Sequence, residues 1–110
     1  MALPHAAPGD AINTAPLGAA LTSTPTSTLI KTAEIQVIRV VLVRNAALPP
    51  HKVPGPITIQ CLEGCVTVTH QESTQLKPGQ MLVLEGGQEH AVQAHDDASL
   101  LLTIVLRPAH

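Results

Sequence analysis

Six histidines are the groups in this 110-residue chain best suited to chemistry near neutral pH. A neutral imidazole can bind a metal, take up a proton or accept a hydrogen bond. Their neighbours separate them. His5 and His110 are terminal, while His70 opens a polar hairpin turn and His95 opens the turn HDDA, so all four read as solvent-facing. His51 is held between Pro50 and the loop around Pro54. His90 follows the Gly86-Gly87 loop, which Glu85 and Glu89 flank. Either carboxylate could orient His90 or act as a base, although charged loop residues are more often simply solvated. Cys61 and Cys65 give no disulfide framework. On one straight strand they would stand about 13 Å apart, beyond bridging distance, so two free thiols are expected. The serines and threonines lack the strained elbow of a nucleophile, and no phosphate-cradling or dinucleotide loop is present.

The elements that must position these groups read as strands. Glu34 to Arg44 (EIQVIRVVLVR) is rich in β-branched residues without Gly or Pro, and both of its alternating sets are largely apolar, which predicts a strand buried on both faces. Asn45, a residue that tolerates positive φ, ends it. LPPHKVPGP then carries four prolines and Gly55, which predicts a stiff irregular loop around His51. Strands follow at 57–64 and 65–70. QEST is a polar hairpin connection, and Leu76 leads to the turn KPGQ. Residues 81–94 hold a strand, the Gly86-Gly87 loop with His90, and a resumed strand, and 99–106 is the last strand before Arg107 and Pro108. Six or so short strands at near-regular spacing, with no convincing helical period, predict an all-β sandwich or barrel.

Residues 1–28 differ in texture. Ala, Pro, Thr and Ser dominate, Asp10 is the one charged side chain, and Ile12, Leu17 and Leu21 are scattered. This predicts an N-terminal arm, either mobile or docked on the domain or on a second subunit, ahead of a single domain at 29–108.

Composition narrows the functions. The chain is 45% hydrophobic but has no Phe, Tyr or Trp, so its core must be built from 31 Leu, Val and Ile with 14 Ala. Base stacking and aromatic cages are excluded as binding devices. A formal net charge of −2 without a basic cluster argues against nucleic acid or an anionic membrane as partner. No apolar run approaches the roughly 20 residues that span a bilayer, and no secretory signal pattern is visible, so a cytoplasmic location is expected.

Two spaced patterns carry a resemblance. GQMLVLEGGQEH places Gly79, Gly87 and His90 at the spacing of the second motif of the cupins, with Glu85 where Pro is usual and Ala94 where Asn is. NAALPPHKVPGPITIQCLEG follows their first motif, with Asn45 at the first Gly position, His51 at the first His and Gly64 at the last Gly. Over residues 35–106 the chain therefore resembles a small single-domain cupin. That implies a cupin-type double-stranded β-helix, a jelly-roll barrel or sandwich. The family's metal set of His, His, Glu and His reads here as His51, Val53, Ile57 and His90, so two of four ligands are replaced by apolar groups. Gln60 should face away, Cys61 lies deep, and His95 sits near a turn, which leaves no obvious third donor.

Three readings follow. The first is a domain that binds a small organic ligand in an apolar barrel pocket lined by Val53, Ile57, Ile59 and Cys61, with His51 and His90 as polar groups and no tightly bound metal. The second, implied by the family, is an oxygenase or isomerase acting on a small organic acid, with a divalent transition metal (iron, manganese, nickel or zinc) on His51 and His90. The third is a structural or sensory dimerisation module. A core of about 75–80 residues is small for independent stability and a jelly roll has open edges. A homodimer in which residues 29–43 pack on or add to the partner is therefore expected.

Overall fold

The computed structural model describes residues 5–106. Arg107, Pro108 and His110 lie outside them. Nine strands occur among the described residues: β1 (Ser27–Lys31), β2 (Ile35–Leu42), β3 (Ala47–His51), β4 (Ile57–Glu63), β5 (Val66–Thr69), β6 (Ser73–Leu76), β7 (Met81–Leu84), β8 (His90–Ala94) and β9 (Ala98–Val105). They form two antiparallel sheets, ordered β1-β2-β9-β4-β7 and β3-β8-β5-β6. The all-β jelly-roll expectation holds.

Alternation puts Val40 and Leu42, Ile57, Ile59 and Cys61, Leu84, and Leu100 and Leu102 on the inner face of the larger sheet. Val66 and Val68, Leu76, Val92 and Ala94 face them from the smaller one, and all join one aliphatic cluster. Each such Val, Ile or Leu stabilises by roughly 1.5–3 kcal/mol relative to exposure. β9 is central, pairing with β2 along eight residues and with β4 on its other side.

Three strands escape the sequence pattern. β1 and β6 are short and largely polar, and pairing with β2 and β5 makes them strands. β3 corrects the expectation that LPPH is irregular. It pairs with β8 at Ala47↔Gln93, Leu48↔Val92 and His51↔His90, with a register break between Leu48 and His51. The extra residue makes a bulge on an edge strand, where a missing proline N–H removes no essential ladder bond. β2 also departs from its reading: Val40 and Leu42 are buried, but Ile35, Val37, Arg39 and Val41 are only half-buried.

The arm lies against the domain. A short 3-10 helix, Gly18–Ser23, buries Leu21. Ahead of it the Leu17 and Gly18 N–H groups donate to the two Glu63 carboxylate oxygens at 2.8 and 3.0 Å, and the Ser99 hydroxyl donates to the same carboxylate. Burial pushes the Glu63 pKa up, but the Ser99, Leu17 and Gly18 hydrogen bonds and the charge of Arg39 together outweigh it, and the net shift is downward. The Ala6 N–H donates to the Leu29 carbonyl at 2.8 Å, extending the contact to β1.

Asn45 (φ 71°) and Gly64 (φ 80°) take left-handed conformations at the ends of β2 and β4. At Gly64 an added Cβ would lie 2.3 Å from the Asp97 carbonyl oxygen, whereas at Gly79 (φ 88°) it would meet nothing within 4 Å. Gly79→Ala is expected to cost about 1–2 kcal/mol from backbone conformation alone, and Gly64→Ala clearly more because Asp97 must also move. Urea denaturation midpoints test the order, and equal losses would contradict it.

Candidate functional site

β3 and β8 bring the two singled-out histidines together. Their register pairs His51 with His90, and the rings meet edge to face with centroids 4.3 Å apart and planes at 62°. Each ring is pinned through Nδ1 to the carbonyl two residues earlier, His51 to Pro49 at 3.0 Å and His90 to Gln88 at 3.1 Å. A carbonyl only accepts, so each Nδ1 carries the hydrogen and each neutral ring keeps its lone pair on Nε2. His90 is 2% exposed, and its Nε2 is buried with no hydrogen-bond partner among the described residues. Burial first, and the neighbouring His51 charge with it, lowers the His90 pKa against the opposing Gln88 bond. The imidazole is therefore held neutral at pH 7.

The loops on either side lock this geometry. The Gly87 N–H donates to the Val53 carbonyl at 2.7 Å, and a Cβ at Gly86 would stand 2.1 Å from the Pro54 carbonyl oxygen. Only glycine lets the loop before β8 approach the loop after β3 so closely.

The expected apolar pocket is corrected. Ile57, Ile59 and Cys61 are 1%, 0% and 0% exposed in the closed core, and Val53 packs against that core, half-buried. The interior of this small barrel is filled by its own aliphatic side chains, Leu82, Leu84 and Leu102 among them. Open space lies instead at the barrel mouth, in a cleft of about 380 Å³ lined by Pro50, Thr69, His70, Gln71 and residues 87–91. Thr69 and Gln71 carried no signal in the sequence beyond their nearness to His70. His70 lines the cleft, but both its nitrogens are engaged, Nε2 with the Thr74 hydroxyl at 2.9 Å and Nδ1 with the Glu72 N–H at 3.4 Å. Glu89 is an exposed part of the lining, and Glu85 is exposed outside it.

The donor set does not fit a resident metal. Among the described residues no group of three or more His, Cys, Asp or Glu could hold an ion, and His51 and His90 alone would leave most of the coordination sphere to solvent. Gln60 sits on the outer face, paired with Leu101 and Met81. The Cys61 thiol, its pKa raised by burial and then by Cys65, donates to the Glu63 and Gly64 carbonyls. His95 Nε2 bonds the Thr67 hydroxyl at 2.7 Å. Cys61 and Cys65 are both free thiols.

The lowered His90 pKa predicts a pH dependence of stability. Below the ordinary histidine value of 6.5 the unfolded chain takes up a proton at this position that the folded chain resists, so stability is fully present above that value and falls as pH drops through it. Denaturation midpoints between about pH 7.5 and 5.5 should fall more steeply for the native chain than for His90→Gln. Parallel curves would refute the assignment.

No protein-family model matches the sequence, and no curated protein matches it. Solved structures do. A cupin superfamily protein from Desulfitobacterium hafniense superposes with a TM-score of 0.72 at 14% identity, over 74% of this chain and 76% of its own. An RmlC-like cupin from Desulfovibrio desulfuricans gives 0.69 at 21%, over 74% and 80%. A conserved protein of unknown function from Streptococcus pyogenes gives 0.74 at 19%, over 99% and 97%, so that likeness includes the arm. No helix among the described residues is long and apolar enough to cross a membrane. Strand content, sheet order and these likenesses agree that the chain is a small domain with the cupin-type jelly-roll fold.

Proposed function

We propose that this domain binds a small polar organic ligand at the barrel mouth, through the Nε2 atom of His90 and without a resident metal; His51 is not among the residues lining the cleft and serves as the ring against which His90 packs. The observation that carries the reading is the buried, unpartnered Nε2 of His90 beside the cleft. A buried acceptor left unsatisfied costs about 1–3 kcal/mol, and a ligand O–H or N–H removes that cost. Because Nδ1 holds the ring's only hydrogen, the site recognises donors at Nε2. Thr69, Gln71 and Gln88 add neutral hydrogen-bonding groups around the same space. Nitrogen-15 NMR should find both rings as Nδ1–H tautomers at pH 7.5. Screening small hydroxy acids, polyols and amides should yield a compound that shifts the His90 Nε2 resonance saturably. An Nε2–H tautomer would overturn the reading, as would near-stoichiometric iron, manganese, nickel or zinc in protein purified without a histidine tag.

We also propose a homodimer through the outer face of the larger sheet. Ile35 of β2, within the 29–43 segment, pairs directly with Val105 of β9, and Val37 and Leu101 share that face, Val37 opposite Thr103 and Leu101 opposite Arg39. On β7, Met81 and Val83 are 57% and 60% exposed. Between them Thr58, Gln60 and Thr103 are uncharged, and Arg39, the charged residue that β2 adds to this face, is tied to the Asn13 carbonyl of the arm, so a second copy of the β9-β4-β7 part of the surface meets it across a two-fold axis with no charge directly opposed. Light scattering at tens of micromolar should give a dimer mass for the native chain and a monomer for Val83→Lys. A monomeric native chain would contradict the proposal.

A further inference from the structure

A second cleft lies on the opposite side of β2 from the histidine pair's sheet. It has a volume of about 400 Å³ and runs between the arm and the β1–β2 edge. Ala11, Ile12 and Leu29 give it apolar walls, Ser27 and Thr28 line it with hydroxyls, and Arg39 supplies its charge. Among the described residues no Asp or Glu is part of the lining, and the other titratable side chain there is His5.

Arg39 is unusual in two respects. Its side chain is half-buried, yet among the described residues its guanidinium has no ion-pair partner; its hydrogen bond runs from Nη2 to the Asn13 carbonyl of the arm. Glu63 feels the Arg39 charge, but that carboxylate is committed to Leu17, Gly18 and Ser99. In addition, the Arg39 Nε–H is buried with no hydrogen-bond partner. Arginine is rarely buried unpaired, and an orphaned buried donor on a cation is among the costlier defects a fold can carry. An anion with a planar pair of oxygens would satisfy both.

We propose that this cleft is a binding site for a short aliphatic carboxylate, held by the Arg39 guanidinium with its hydrocarbon tail against Ile12 and Leu29. The fork formed by Nε–H and Nη2 matches the two oxygens of a carboxylate. Nη2 carries two hydrogens, so it can keep the Asn13 carbonyl and still offer one. Nε is sealed from solvent, so the ligand reaches it as the arm around residues 11–13 eases outward, and the arm then closes over the tail. A single guanidinium between apolar walls suits one negative charge on a short chain, whereas a phosphate dianion would need further donors. The site is independent of His51 and His90.

The test is titration of the full chain with butyrate, read at the nitrogen-15 Nε–H resonance of Arg39, assigned by its loss in Arg39→Lys. Butyrate should shift that resonance saturably, butyramide should not, and Arg39→Gln should weaken binding by about tenfold or more, as expected for loss of a charged hydrogen-bond pair. Ala11→Leu, which fills the cleft from the exposed arm, should weaken it without touching the sheet, so the proposal remains testable if Arg39→Gln does not fold. His90→Gln should leave the response intact. The proposal is overturned by the absence of a saturable shift, by an equal response to butyramide, by binding that survives both cleft variants, or by inorganic phosphate binding more tightly than butyrate.

Discussion

Everything in this domain depends on filling the space between two sheets without one Phe, Tyr or Trp. Phe, Tyr and Trp bury the largest areas per residue, and their absence means that many smaller side chains must interdigitate. The long central strand β9 organises that packing. It offers Ala98, Leu100 and Leu102 to the interior while joining β2 to β4, so one strand supplies both the middle of the core and the continuity of the larger sheet. Ile57, Ile59 and Cys61 are committed to the same interior and closed off from solvent.

That choice displaces the chemistry to the rim. His51 and His90 sit where the aliphatic filling ends, and their orientation comes from backbone carbonyls, not from other side chains. Carbonyl pinning leaves both lone pairs on the same kind of atom. The Gly86 and Gly87 contacts with the preceding loop hold the two pinned rings in edge-to-face contact. The site is thus specified mostly by main-chain geometry, with glycine and proline setting it.

Much of this was legible in the sequence. The β-branched run of β2, the positive φ of Asn45 and the meeting of His51 with His90 follow from local chemistry and motif spacing. What was not legible depends on partners distant in the chain. β1 and β6 are strands because β2 and β5 lie beside them, and β3 tolerates Pro49 and Pro50 because it is an edge with a bulge. Val53, Ile57, Ile59 and Cys61 alternate as pocket walls would, but alternation reports only the face. Whether that face bounds a void or a packed interior is decided by Leu82, Leu84 and Leu102 from other strands. Arg39 likewise read as one charge in an apolar strand, and only the docked arm gives it a cleft.

The order β1-β2 at the sheet edge also bears on how the chain survives in a cell. Residues 35–42 (IQVIRVVL) combine high β propensity with one charge and no proline, the composition of segments that self-assemble into cross-β fibrils. In the native sheet that segment is flanked on one side by β9 and on the other by β1, whose exposed Lys31 marks the outer edge. β1, which continues from the arm that Glu63 holds, therefore occupies the edge along which β2 would otherwise be open to pair with a second chain. That cover is short, since β1 is five residues long and pairs with β2 only from Gln36 to Arg39.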